Sequence, residues 1–508
     1  MRNIYIFSYP RPPFRNFVTF KPTFQPLKSS GSRQPVANYW SIGLLASSLL
    51  MAPTSALSQA ATCQPGAACS QQSGWADTSI TSLSSAVQRA LEHDATLSTA
   101  RQQRQVVRFQ TDQARAPLLP QLSLQLDYNQ YSERGRGLTG SSQSGYSDYE
   151  IRSLSASLQQ SLFNAGDWYR YQAALSADRQ AAMTLQAAQQ DLLLRTSSAW
   201  FNTLRQQDLL ATLESELEAL QQSWQQSRRR HEAGLVVSLE VQEARARIDQ
   251  TLATLVQARN DLQLARLQLQ QLTGVTIAAL PSLGTVRVLE DKSQQQWLAL
   301  ATGNSLELQQ AGLSQQQAVQ DRQASRMDLL PNVTLNAGIS REVEDAWRYS
   351  DDGTGTPLDT NSRYIGIQVS VPLYQGGGSY AASRAAAATL AERQQQLRLQ
   401  QQLLETGVLS LYAQLQNQQA SIDARQQALT SANATLAATE AAWNTGLRRF
   451  IDVLNARQAR YDAERELAAS RYDYLISWLS LHRVAGTLDS EVIAELDSAI
   501  EPQHRQGG

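Results

Sequence analysis

The sequence predicts a mainly α fold with four membrane-type β-strands, in which one helix–strand–strand–helical-hairpin unit is written twice in tandem. Three observations predict it. The second half returns blocks of the first at an offset of about 211 residues. Leu118-Leu119-Pro120 returns as Leu329-Leu330-Pro331, and Ser161-Leu162-Phe163-Asn164-Ala165-Gly166 as Pro372-Leu373-Tyr374-Gln375-Gly376-Gly377. Gly234-Leu235, Leu239-Glu240-Val241 and Ala244-Arg245 return as Gly446-Leu447, Ile451-Asp452-Val453 and Ala456-Arg457. Four segments alternate apolar and polar residues with period 2. Two stretches of about 66 residues lack Pro, the first lacks Gly as well, and the second holds only Gly407. The offset exceeds the roughly 20–50 residues of a solenoid repeat, so the reading is a duplicated structural half.

Residues 1–60 carry Arg2, Arg11, Arg15, Lys21, Lys28 and Arg33 and no acid. An apolar run from Ile42 to Met51 follows, too short to cross a bilayer as a helix, and Ser58 and Ala60 fit a small-x-small cleavage site. This segment reads as a signal peptide with a long n-region. The net charge of −1 falls to about −7 without it, which excludes the basic footprint of a nucleic-acid binder. Residues 61–80 read as a mobile segment with the chain's two cysteines, Cys63 and Cys69. Export would permit a small disulfide loop between them. Ala60-Ala61-Thr62 before Cys63 is a poor lipidation signal, and two cysteines alone fall short of the four ligands of a structural metal site.

The first repeat is expected over 81–280 and the second over 281–488, with a C-terminal tail at 489–508. A helix from about Thr81 ends at Pro117–Pro120. In the strand at about 121–130, Leu122, Leu124, Leu126 and Tyr128 face one way, and Gln121, Ser123, Gln125 and Asp127 the other. The Gly/Ser/Tyr-rich stretch 131–150 reads as a loop, and a second strand follows at about 151–162. The second half repeats this with strands at about 331–341 and 363–373. Ten residues at about 3.3 Å each, tilted about 45°, cover an apolar band of roughly 25 Å, as an outer-membrane strand requires. A small soluble sheet is the other reading, but no further strand-like segment exists to pack on it. Four strands cannot close a barrel, for which about eight is the minimum. A dimer would supply eight strands and a trimer twelve. Aromatic residues near the strand ends (Tyr128, Tyr131, Tyr149, Trp168, Tyr169, Tyr364, Tyr374) suit interfacial girdles.

Helical hairpins are expected over 167–273 and 379–485, turning at Gly234 and Gly446. The Pro-free stretches would make helices of about 100 Å. The first return helix is a heptad, with Val241, Ile248, Leu255, Leu262 and Leu269 on one seam and Ala244, Thr251, Ala258, Ala265 and Leu272 on the other. Its small residues favour close helix approach. Val453, Leu467, Tyr474 and Leu481 continue the pattern in the last helix, interrupted by Arg460.

This layout resembles the TolC family of outer-membrane channel proteins over about residues 80–490. The resemblance rests on the blocks quoted above, with Ile451-Asp452-Val453-Leu454-Asn455-Ala456, Arg471-Tyr472-Asp473-Tyr474-Leu475 and the closing Ala485-Gly486-Thr487-Leu488. The last looks most like the type I secretion branch. The resemblance implies a homotrimer with a twelve-stranded barrel in the outer membrane and a twelve-helix tunnel in the periplasm. It also implies a periplasmic adaptor docked at the tips and an inner-membrane ABC or RND pump. The channel itself would do no chemistry and need no cofactor.

The resemblance places the periplasmic gate near the turns. Glu240 is expected to pair with Arg448 of a neighbouring hairpin, with Trp443 packed nearby, because a carboxylate–guanidinium pair is directional and breakable. Asp452 would ring the axis as the pore constriction and favour cations. Asn455 stands where the family often has a second acid, which weakens that ring. Gly234, Leu235, Gly446 and Leu447 form the adaptor-docking tips. Arg228-Arg229-Arg230 reads first as solvated charge, and His93, His231, His482 and His504 are not spaced for a metal site. Alternatives are a multidrug-efflux channel and a periplasmic coiled-coil adaptor. No nucleophile–base pair, metal cluster or phosphate loop points to an enzyme.

Overall fold

In the computed structural model the described residues are 80, 82–136, 144–277, 279–281, 292–345 and 358–499. Residues 1–60, Cys63, Cys69 and His504 lie outside them. The chain divides into two units, Met1–Gln72 and Ser73–Gly508, and every described element lies in the second.

The helices start where the sequence offers caps. Helix α1 (Leu83–His93) opens on a reciprocal pair: Ser82 and Ser85 hydroxyls each accept the other's backbone N–H at 3.2 Å. Asp94 ends α1 and caps α2 (Ala95–Arg115), accepting the Leu97 N–H at 2.7 Å. A 3-10 turn at Ala116–Leu118 leads into strands β1 (Gln121–Arg136) and β2 (Ser144–Phe163). Asn164 caps the long helix α3 (Ala165–Glu232), and α4 (Ser238–Thr273) returns along it. The same order follows with α5 (Gln294–Asn304), α6 (Leu306–Met327), β3 (Asn332–Asp345), β4 (Leu358–Ser370), α7 (Gly378–Asn444) and α8 (Phe450–Val484). A last helix, α9 (Ser490–Ala499), lies in the segment expected to be a tail, and its Ile493 and Leu496 are buried in the main core. At 68 and 67 residues, α3 and α7 each run about 100 Å at ~1.5 Å per residue.

The strands form one antiparallel sheet in the order β1-β2-β3-β4. Its register carries apolar residues straight across one face, as in Leu122↔Leu158↔Ala337↔Ile365. The opposite face carries Ser123↔Ser157↔Gly338↔Tyr364, with Ser123 and Ser157 hydroxyls 2.7 Å apart. Leu122 and Ile365 are each 78% exposed, so none of the described residues covers the apolar face at these positions. The outer edges of β1 and β4 carry no partner strand among the described residues.

Two expectations change here. Pairing continues past Gln130 through Tyr131↔Tyr149 to Arg136↔Ser144, so most of the expected loop 131–150 is strand. A ladder is held by backbone groups and tolerates Gly and Ser; residues 137–143 of the expected loop lie outside the described residues. The girdle assignment also narrows. Tyr131, Tyr149 and Tyr364 alternate onto the polar face, where Tyr131 and Tyr149 stack at 5.0 Å. Tyr128 shares the face of Leu122 and Leu126.

The main core gathers α1, α3, α5, α7, α8 and α9 around Trp297, Phe201, Tyr472, Leu479 and Leu481. A second cluster, Leu220, Ala244, Ile248, Phe450 and Leu454, joins the two hairpins near their turns.

Candidate functional site

Both hairpins turn by the same device. At the end of α3 the Gly234 N–H donates to the His231 carbonyl and the Leu235 N–H to the Arg230 carbonyl, each at 2.9 Å. At the end of α7 the Gly446 N–H donates to Trp443 and the Leu447 N–H to Ala442, again at 2.9 Å. These bonds need a left-handed residue after the last turn, and Gly234 and Gly446 have φ of 74° and 78°. The turns present bare apolar side chains: Leu447 is 82% exposed, with Leu235, Val237 and Leu239 also exposed.

Behind the turns the structure places each gate candidate. Glu240 lies half-buried in the first turn of α4, and its Oε2 has no hydrogen-bond partner among the described residues. Burial pushes its carboxyl above the ordinary glutamate range; Arg230 opposes this and Glu243 adds to it. Arg230 holds its guanidinium 4.7 Å from the ring centroid of Trp443, which packs on Phe450 at 5.5 Å. Arg230 thus brings Glu240 and Trp443 into one constellation. Arg448 is exposed and forms no pair with Glu240 within the chain. Within the Arg228–Arg230 run, Arg228 and Arg229 are exposed as solvated charge should be, Arg228 bonding Glu232 at 2.9 Å, and only Arg230 packs on an aromatic ring of the second hairpin.

Asp452 and Asn455 sit in the first turns of α8. Asp452 Oδ2 accepts the Arg449 N–H at 3.1 Å, so part of the carboxylate is spent starting the helix. Asn455 accepts from Arg247 Nη2 at 2.9 Å, a bond from the first hairpin to the second.

Further from the turns, α8 is tied to α3 by residues that sequence reasoning did not single out for function. Arg457 pairs with Glu440 at 2.6 Å and donates to the Ala219 carbonyl at 3.2 Å. Arg465 pairs with nearly buried Glu216 at 2.8 Å and with Asp462. Glu216 carried a readable signal: it lies between Leu213 and Leu220 on the buried stripe of α3, where a charge demands a partner. Arg230, Arg247 and Arg465 carried none for their contacts across helices, because Trp443, Asn455 and Glu216 are remote in sequence. Among the described residues no group of three or more His, Cys, Asp or Glu could hold a metal ion. None of their helices is long and apolar enough to cross a membrane.

An antiparallel sheet whose apolar face no other described residue covers, continued in the chain by long antiparallel helical hairpins, defines the class of outer-membrane channel proteins with a helical extension. The chain belongs to the outer membrane efflux protein family, whose model matches residues 86–275 and 297–487, and so to the TolC-type channels of the cell outer membrane. It is 34% identical over 402 residues to outer membrane protein TolC of Escherichia coli K12, covering 77% of this chain and 79% of that one. It is 29% identical over 416 residues to the alkaline protease secretion protein AprF of Pseudomonas aeruginosa, covering 79% and 83%. Among solved structures, the outer membrane protein VceC of Vibrio cholerae superposes with a TM-score of 0.67 at 20% identity, over 80% of this chain and 96% of that one. That likeness concerns the fold.

Proposed function

We propose that this chain is the outer-membrane export duct of a tripartite secretion or efflux system. It is a passive homotrimeric channel that docks a periplasmic adaptor and, through it, an inner-membrane pump. The observation that carries this is the open four-stranded sheet, whose apolar face is bare and whose two edges lack partners among the described residues. Unpaired edges and an uncovered apolar face are both costly in water. Three chains closing edge to edge would remove the edges, give twelve strands and turn the apolar face to lipid. The hairpins would then line a periplasmic tunnel of twelve helices. The exposed leucines at Leu235 and Leu447 support adaptor docking at the tips.

The gate reading keeps Glu240, Trp443 and Arg448 at the entrance. Glu240 Oε2 has no partner among the described residues and Arg448 is exposed, which suits a pair formed with a neighbouring chain. Asp452 and Asn455 form the constriction. The similarity to AprF favours protein cargo of the type I branch, and the family match equally suits small-molecule efflux.

Single-channel conductance in planar bilayers, with the mass in detergent measured alongside, tests the proposal. A trimer with small, cation-preferring openings is expected, and Arg448→Glu should raise the leak. A monomer without conductance would overturn the duct. An unchanged leak in Arg448→Glu would overturn the gate alone.

A further inference from the structure

A cavity of about 80 Å³ lies between the two hairpins, walled by α3, α4 and α8. Three guanidinium groups line it, from Arg247, Arg457 and Arg465, against one lining carboxylate, Glu216. Arg457 and Arg465 are each paired, to Glu440 and to Glu216. Arg247 differs. Its hydrogen bonds go to neutral amides, Asn455 Oδ1 at 2.9 Å and Gln250 Oε1 at 3.4 Å, and among the described residues it has no carboxylate partner. Arg247 is partly exposed at the cavity wall, and a guanidinium held there by neutral amides alone is free to take a charge-assisted bond from an anion. Roughly 10–15 Å³ of such cavity space holds one water, so the cavity takes several waters or one small oxyanion.

We infer that this cavity is a binding site for a small oxyanion, a phosphate-like or carboxylate group, held by Arg247 and bridging the two hairpins. Arg247 has N–H groups to spare beyond its two amide bonds, in the planar fork that matches two oxygens of such an anion. Gln250, Thr251 and Gln458 add polar groups to the lining. The walls come from both hairpins, so an anion here ties α8 to α4, reinforcing the Arg247–Asn455 bond. The site is complete within one chain and does not depend on the export reading.

The test uses the full chain purified in detergent, with inorganic phosphate as probe and chloride of equal ionic strength as reference. Phosphate should raise the apparent unfolding midpoint by about 2 °C over chloride. Arg247→Gln should abolish that rise and Arg247→Lys keep part of it. Arg245→Gln, whose arginine pairs with Asp249 on the same helix, should keep it whole. A rise equal to that in chloride, its survival in Arg247→Gln, or its loss in Arg245→Gln would overturn the site. Phosphorus NMR of inorganic phosphate with the unaltered protein gives a readout free of any variant. Line broadening is expected, and an unbroadened line sinks the inference.

Discussion

Arg230, in the last turn of α3, holds its guanidinium 4.7 Å from the ring centroid of Trp443, near the end of α7. The contact crosses from one hairpin to the other and sets a cation near half-buried Glu240. Such a contact is worth about 0.5–2 kcal/mol. A double-mutant cycle with Arg230→Gln and Trp443→Leu should give a coupling of about 1 kcal/mol in thermal unfolding. Additive losses would show that the two residues act independently.

A second consequence concerns acid. His482 is buried beside Trp478 and Trp297, with ring centroids at 4.2 and 4.8 Å. Its Nδ1 lies 3.0 Å from the Thr487 hydroxyl. Burial, helped by Lys292 and opposed by Asp489, lowers its pKa to about 4. The folded protein keeps the ring neutral while the unfolded chain takes up a proton below about pH 6.5. Stability from this residue is therefore present above about pH 6.5 and lost as pH falls towards 4, by about 3 kcal/mol per chain. The unfolding midpoint of the native protein should drop more steeply between pH 7 and 4 than that of His482→Gln. Parallel curves would refute the assignment.

The Glu216–Arg465 pair, at 2.8 Å with side chains 9% and 20% exposed, predicts an asymmetry. Arg465→Met leaves a buried carboxylate facing the cavity and should cost about 3 kcal/mol. Replacing both, as Glu216→Leu with Arg465→Met, should recover most of that loss. A double variant no better than the single one would show that the pair does more than neutralise itself.

What was legible in the sequence follows from the range of each signal. Alternation over Leu122–Tyr128 and Ile365–Leu373 marks strands because a sheet face is a local, period-2 property. Gly234-Leu235 and Gly446-Leu447 mark turns because the left-handed cap is equally local. The ladder beyond Gln130 was hidden, since its composition is that of a loop and only pairing holds it. β4 stops at Ser370, short of the expected end, where Pro372 has no N–H for a ladder. The site was less legible. Glu240 and Trp443 were singled out by position, whereas Arg230, the cation that packs on Trp443, lies in a run of three arginines with no periodicity. Only the packing of α3 against the second hairpin shows which of them reaches Trp443.

Two glycines with nearly the same backbone predict different losses. Gly234 has φ of 74° and open space where a Cβ would go; Gly486 has φ of 71°, and a Cβ there would meet the Asn304 carbonyl oxygen at 2.2 Å. Gly234→Ala meets only the left-handed penalty of about 1–2 kcal/mol. Gly486→Ala must also displace backbone at the end of α5, where it meets α6, and should cost about 4 kcal/mol or more. Equal shifts in unfolding midpoint would mean that the α8 end yields freely.

The sheet faces give the sharpest contrast, at neighbouring positions of β4. Ile367 shares the apolar face with its partner Leu335, and Gln368 shares the polar face with Asn336, whose amide donates to it at 3.3 Å. If the apolar face meets lipid, Ile367→Arg places a charge in hydrocarbon and should cost about 2–4 kcal/mol per chain near mid-bilayer. Gln368→Arg places the same charge towards water and should be tolerated. The measurement is the yield of folded channel in outer-membrane fractions. A strong loss for Ile367→Arg with near-normal yield for Gln368→Arg is expected, because a one-residue step along a strand reverses the face. Equal yields would show that the apolar face is covered by protein, and a barrel of these strands would have to be abandoned.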